Sequence, residues 1–172
     1  GSPYLAMSLD ASGAETLRLN LTQFDCMLFV EQLLALAWSD SFDQFSEHTR
    51  RLRYRDGDVS YCMRLHYFHD WADSAVQQGI LEADFKLKEE VSRTLSLNFM
   101  STNRDLYPKL KSNDLFNCIR SIEASRHVVQ RLVPLEAIEA VLPKLQSGDL
   151  FAIATRVQGL DVSHSGVLVS VG

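Results

Sequence analysis

The stretch LTQFDCMLFVEQLLALAW (residues 21–38) predicts the helix on which the rest of the fold depends. From Cys26 onward, its apolar residues recur at the spacing of one helix face: Cys26, Phe29, Val30, Leu33, Leu34 and Ala37. Thr22 and Asp25 fit a capping-box pattern, so the helix is expected to begin near Thr22 or a few residues later. Two roles are open to Cys26. A thiol on an apolar face usually fills the core, but at a helix N-terminus it can also be a nucleophile, because the helix dipole favours the thiolate.

Composition sets broad limits on the function. The 172 residues suit one domain with a sizeable core, and 46% hydrophobic and 23% charged residues are ordinary for a globular protein. A net charge of −5 argues against a nucleic-acid partner. The densest basic run, HTRRLRYRDG (residues 48–57), stands alone and is interpreted as a solvated strand or loop, with a local anion site as the alternative. No apolar run approaches the roughly 18 residues of a membrane span, and no secretion signal is visible.

The three cysteines, Cys26, Cys62 and Cys118, are widely spaced. The absence of a CxxC pair argues against a zinc ribbon. Their odd number argues against a disulfide framework, because one thiol would be left over.

The C-terminal third predicts two strands, SGDLFAIATRV (residues 147–157) and GLDVSHSGVLVSVG (residues 159–172). The second fits a largely buried strand through Val162, Val167, Leu168, Val169 and Val171. Helices first and strands late indicate an α+β fold, which we expect to form one domain over residues 1–172. A two-stranded hairpin rarely stands alone. Further strands are therefore expected, either from earlier segments or from sequence beyond Gly172.

A cysteine nucleophile needs a base, and the histidines are the candidates. His48 and His127 lie in charged segments predicted to be helical and exposed. His66 and His69 could hold a metal as a pair, but no third ligand lies at matched spacing, so no metal site is expected. His164 differs, because its SHSG context interrupts an apolar strand. It is either the base for Cys26 or a histidine hydrogen-bonded at the sheet edge.

Several blocks carry a family resemblance. PY near the start, FDC opening the helix, SGD before one strand and SHSG in the next resemble the NlpC-type cysteine amidases and peptidases. LNLTQFDCMLFVEQLLALA, RYRDG, RLHYFHDW and GLDVSHSGVLV resemble, more narrowly, the N-acetylmuramoyl-L-alanine amidase-like branch. Single blocks would carry little weight, but their order over nearly the whole chain is specific.

The resemblance implies a papain-like core in which the Cys-bearing helix packs on an antiparallel sheet, with helical insertions. Cys26 matches the nucleophile, His164 the base, and Tyr4 a tyrosine that lines the site and donates to the oxyanion. Asp25 is interpreted as support for the helix start. The family's third polar residue follows on the next strand, which this chain does not reach, so that residue stays unassigned.

The RYRDG and RLHYFHDW blocks suggest a substrate-binding wall formed by Arg64, His66, Tyr67 and Trp71. The alternative is that the aromatic residues, Tyr67, Phe68 and Trp71, only pack the lobe.

The resemblance implies a hydrolase that cleaves the N-acetylmuramoyl-L-alanine amide of peptidoglycan fragments (muropeptides), without metal or cofactor. The alternatives are a stem-peptide endopeptidase and a non-catalytic cell-wall binding module. The implied location is periplasmic or otherwise extracytoplasmic in a bacterium.

Overall fold

The computed structural model describes residues 1–10, 13–83 and 86–170, and within these ranges the fold is α+β, as predicted. The helices are α1 (Cys26–Ala37), α2 (Phe42–Arg53), α3 (Phe68–Gln77), α4 (Phe99–Thr102), α5 (Asn113–Ser125) and α6 (Ile138–Val141). The strands are β1 (Val91–Ser96), β2 (His127–Leu132), β3 (Leu150–Ala154) and β4 (Val162–Val167). Short 3₁₀ helices connect them at Arg55–Gly57, Arg104–Leu106, Pro108–Lys111, Leu135–Ala137 and Leu142–Lys144.

Helix α1 begins at Cys26 because Asp25 caps it. The Asp25 Oδ1 atom accepts a hydrogen bond of 2.8 Å from the Leu28 N–H, which satisfies one of the unpaired donors of the first turn. The predicted capping box at Thr22 is wrong, since the Thr22 hydroxyl donates to Asn20 Oδ1 instead. The role predicted for Asp25, support of the helix start, is confirmed.

The first hydrophobic core joins α1, α2 and α3. Val30, Leu52 and Trp71 are fully or almost fully buried at its centre. Phe45 is buried in this core, whereas Phe42, the first residue of α2, is 68% exposed.

The second core lies beneath β1 and β2, which pair antiparallel with Val91 opposite Leu132. His127 belongs to β2, not to a helix as predicted, although it is exposed. A disulfide joins Cys62 to Cys118 and fastens the segment before α3 to α5. The expectation of no disulfide is therefore wrong. The odd count of cysteines misled the prediction because the remaining thiol, Cys26, stays free.

Strands β3 and β4 form a second antiparallel sheet that packs on α1. Ser165 and Gly166 are buried, and the Ser165 hydroxyl donates to Met27 Sδ at 3.3 Å. The prediction of a largely buried strand is wrong, because Val162, Val167 and Leu168 are only partly buried; Val171 lies outside the described residues. His164 is exposed, and Val169, beyond the strand, is 74% exposed.

Candidate active site

Two neighbouring clefts meet at the N-terminus of α1, and Tyr4, Asp25 and Cys26 line both of them. The first cleft, of about 390 Å³, runs from Cys26 toward Arg64. The second, of about 400 Å³, runs from Cys26 toward His164. The first residue of α1 therefore stands where a substrate could lie across both clefts.

Cys26 combines a free, partly exposed thiol with a helix N-terminus. A helix N-terminus stabilises an anion by about 0.3–1 kcal/mol and presents unpaired backbone N–H groups. Burial raises the pKa of the Asp25 carboxyl, and the N–H groups of Leu28 and Met27 oppose that rise. Asp25 is engaged in holding the helix start, which leaves the thiol as the exposed reactive group.

Tyr4 is brought to Cys26 by backbone pairing. The N-terminal segment runs parallel to the chain before α1, with Tyr4 bridged to Phe24. The Leu5 N–H donates to Phe24 O at 2.9 Å, and the Phe24 N–H donates to Pro3 O at 3.3 Å. Burial and the adjacent Cys26 thiol raise the pKa of the Tyr4 hydroxyl, so that it stays protonated at neutral pH. Tyr4 can therefore act as a hydrogen-bond donor beside the thiol.

His164 reaches the same cleft from the sheet. It is exposed on β4 opposite Ile153, and it lines the second cleft together with Cys26. The contact of the neighbouring Ser165 with Met27 ties this strand to the first turn of α1. In the described part of the chain no hydrogen bond joins the side chains of Cys26 and His164, and none orients the His164 ring.

Arg64 lines the first cleft, but internal carboxylates already hold it. Its Nη2 lies 2.5 Å from Asp10 Oδ1, and its Nε lies 3.6 Å from Glu15 Oε1. The guanidinium also lies 4.8 Å from the centre of the Tyr61 ring. Arg64 therefore secures the N-terminal segment against the cleft wall.

His66 also lines the first cleft. Its Nε2 lies 2.8 Å from the Tyr61 carbonyl oxygen, and its ring packs on the Tyr61 ring. Burial lowers the pKa of His66 to about 3, and the nearby cations of Arg64 and Lys109 act in the same direction. The imidazole is therefore neutral at physiological pH.

The two aromatic candidates of this wall differ. Tyr67 borders the first cleft but is buried in the second core, where its hydroxyl donates to Glu123 Oε1 at 2.6 Å. Trp71 has no exposed surface and lies in the first core, so its prediction as a substrate-binding residue is wrong. Trp71 follows the packing alternative, because helix periodicity turns it toward α1 and α2.

The floor of the first cleft contains an ion pair that the sequence reasoning missed. The Arg53 Nε donates to Glu31 Oε2 at 2.9 Å, and both side chains are almost completely buried. Burial raises the pKa of Glu31, while the Arg53 charge opposes that rise. The available signal was Glu31 itself, the one charged residue between Cys26 and Ala37.

The described residues contain no group of three or more histidine, cysteine, aspartate or glutamate side chains arranged to hold a metal ion. Among the same residues, no helix has the length and apolar character to cross a membrane.

Comparison with known proteins identifies the class. The model of the N-acetylmuramoyl-L-alanine amidase-like (AmiA-like) family matches residues 1–171. The chain belongs to this family, which confirms the narrower of the two resemblances; the wider NlpC-type relationship stays a prediction. A comparison with curated proteins finds no match.

Solved structures share the fold. A Bacteroides fragilis protein described as a candidate xylanase is 35% identical, with a TM-score of 0.85, over 99% of this chain and 78% of its own. An N-acetylmuramoyl-L-alanine amidase from Bacteroides uniformis is 30% identical, with a TM-score of 0.80, over 98% of this chain and 76% of its own. A Legionella pneumophila protein, 19% identical with a TM-score of 0.72, covers 97% of this chain and 69% of its own. This last likeness concerns the fold alone.

Proposed function

We propose that the protein is a cysteine amidase that hydrolyses the bond between the lactyl group of N-acetylmuramic acid and L-alanine in peptidoglycan fragments. The observation that carries the proposal is the convergence of the Cys26 thiol, the His164 imidazole and the Tyr4 hydroxyl on one cleft. The family and the similarity to an amidase of Bacteroides uniformis support the choice of bond. A cell-wall substrate in turn favours an extracytoplasmic location.

The reaction begins when His164 accepts the proton of the Cys26 thiol. The thiolate attacks the amide carbonyl carbon, and the electron pair of the C=O bond moves onto oxygen. Tyr4 and the free N–H groups at the start of α1 donate hydrogen bonds to this oxyanion. Because the dipole of α1 contributes only about 0.3–1 kcal/mol, proton acceptance by His164 supplies most of the activation.

The tetrahedral intermediate then collapses. The carbon–nitrogen bond breaks, and His164 returns its proton to the departing amine of L-alanine. A thioester of the lactyl group remains on Cys26. Water gives a proton to His164 as it attacks the thioester carbon. The carbon–sulfur bond then breaks, the lactyl carboxylic acid leaves, and His164 returns the proton to the Cys26 sulfur. The step needs Cys26 and His164 in direct or water-mediated contact, and such contacts often tighten only when substrate binds.

The test compares wild-type protein with Cys26→Ala on N-acetylmuramoyl-L-alanyl-D-glutamate. We expect loss of turnover in the variant, and we expect wild-type products of N-acetylmuramic acid and L-alanyl-D-glutamate by mass spectrometry. Tyr4→Phe keeps the ring but removes the donor, and we expect kcat to fall by about 10²-fold. Retained turnover by Cys26→Ala would contradict the proposal.

Two alternatives have separate readouts. A stem-peptide endopeptidase would leave sugar that still carries L-alanine and D-glutamate, given a longer stem as substrate. A non-catalytic binding module would show a Cys26 no more reactive toward a thiol probe than the same cysteine in the unfolded protein. Cys62 and Cys118 cannot serve as comparators, because they are paired.

Glycoside hydrolysis, suggested by the description of the Bacteroides fragilis protein, is not favoured by the cleft. That chemistry needs two carboxyl groups free to act as acid and as base or nucleophile. Of the described carboxylates that line the first cleft, Asp10 and Glu31 are ion-paired with arginines, and Asp25 caps α1.

A further inference from the structure

His66 has one ring nitrogen, Nδ1, for which no partner exists among the described residues. A backbone carbonyl oxygen can only accept a hydrogen bond, so the 2.8 Å contact with Tyr61 O requires the proton on Nε2. In a neutral imidazole the other nitrogen, Nδ1, is then an acceptor. No described protein group donates to it, and it is not among the buried polar atoms that lack a partner. Nδ1 is therefore an accessible acceptor without a partner, on a residue that lines the first cleft.

The ring is also held in place. It packs on the Tyr61 ring at 4.7 Å between centres, and the disulfide of the neighbouring Cys62 ties this segment to α5. A fixed ring of fixed tautomer loses little freedom when a ligand binds, which favours a specific contact.

We propose that His66 is a specificity-determining residue whose Nδ1 accepts a hydrogen bond from an uncharged N–H or O–H donor of the substrate. The proposal rests on the proposed function for the identity of the substrate. The donor is an amide N–H of the stem peptide or a hydroxyl of the sugar, since both present the same chemistry to Nδ1.

This role differs from that of His164. Protonation would convert Nδ1 into a donor, and the surrounding Arg64 and Lys109 cations oppose it. His66 thus holds the substrate without exchanging protons during turnover. Its removal should weaken binding in the ground state and the transition state alike, which raises KM and leaves kcat nearly unchanged.

The variant His66→Gln tests this, because a glutamine amide can still donate to Tyr61 O but places no acceptor at the Nδ1 position. We expect KM for N-acetylmuramoyl-L-alanyl-D-glutamate to rise about three- to tenfold, with kcat within twofold and an unchanged pH profile. The matched control is His127→Gln, at an exposed position on β2 outside the clefts, with kinetics expected to equal those of wild type.

A second measurement needs no change at His66. In ¹⁵N-histidine-labelled Cys26→Ala protein, the His66 Nδ1 resonance should report an unprotonated nitrogen and should shift when the same muropeptide is added. Titration with L-alanyl-D-glutamate and with N-acetylmuramic acid, each alone, identifies whether peptide or sugar supplies the donor.

A KM within twofold of wild type for folded His66→Gln, or an Nδ1 resonance unmoved by the muropeptide, would overturn the assignment. A fall in kcat with a displaced pH profile would also overturn it, since that result makes His66 a proton-transfer group. These outcomes are separate from failure of the proposed function, which is judged by turnover in Cys26→Ala.

Discussion

Acidification from pH 7 to pH 5 should destabilise the protein through His66. The folded environment lowers the pKa of His66 to about 3 from a reference value of 6.5, mainly through burial and then through the Arg64 charge. The unfolded chain therefore binds a proton as pH falls through about 6.5, whereas the folded protein does not. Stability from the neutral ring is complete above pH 6.5 and is lost progressively between 6.5 and 3.

The size of the effect follows from the two pKa values. At pH 5, protonation of His66 favours the unfolded state by about 2 kcal/mol, and at pH 7 by about 0.2 kcal/mol. The difference of about 2 kcal/mol corresponds to a fall in Tm of about 4–8 °C for a domain of this size. The pKa values of Asp25 and Glu31 are raised by burial and act in the opposite direction, because protonated carboxyls suit the folded state.

The assay is urea unfolding at pH 7 and pH 5 for wild type, His66→Gln and His127→Gln. On going from pH 7 to pH 5, the free energy of unfolding of wild type should fall by about 2 kcal/mol relative to that of His66→Gln. The contributions of Asp25 and Glu31 are common to both proteins and cancel in this comparison. His127→Gln should follow wild type, because its side chain is exposed. Parallel pH curves for wild type and His66→Gln would refute the reasoning.

Three further predictions concern stability. Reduction of the Cys62–Cys118 disulfide, or Cys118→Ser, should lower the free energy of unfolding by about 4 kcal/mol, because the bridge closes a loop of 56 residues; an unchanged urea midpoint in reductant would contradict this. Asp25→Ala should lower the free energy of unfolding by about 1 kcal/mol, because it removes the cap of α1. Asp25→Asn should keep most of the stabilisation that the cap provides, and thermal unfolding of the two variants checks this. Arg53→Met should cost about 3–5 kcal/mol because it leaves the buried Glu31 carboxylate unpaired, and adding Glu31→Leu should recover much of that loss; equal instability of the single and double variants in urea would count against the ion pair.

Local pattern predicted helix α1 best. The capping and apolar spacing around Cys26 placed its start near Thr22 or a few residues later, and the observed helix begins at Cys26. Strands β1 and β2 were not resolved from the sequence, because Val91 pairs with Leu132 across the two intervening helices α4 and α5. Such pairing depends on the fold of the whole domain and leaves little periodic signal in either segment.

The candidate site was likewise predicted in part. The family blocks predicted Cys26, His164 and Tyr4 as site residues, and all three line one cleft. Trp71 was placed in the substrate wall because the block alone does not state which way a side chain points. The Glu31–Arg53 pair was missed, since the two residues lie on different helices.

The sequence by itself determined that a helix with one apolar face would begin near Thr22 or a few residues later, with Cys26 in its first turn, and which family the chain would resemble. Only the tertiary structure decided that Cys62 would pair with Cys118 and that His66 would line a cleft with its Nε2 held by the Tyr61 carbonyl. The reason is physical: periodicity and capping act over a few neighbouring residues. Disulfides, buried ion pairs and clefts instead depend on distances between segments far apart in the chain, which packing alone sets.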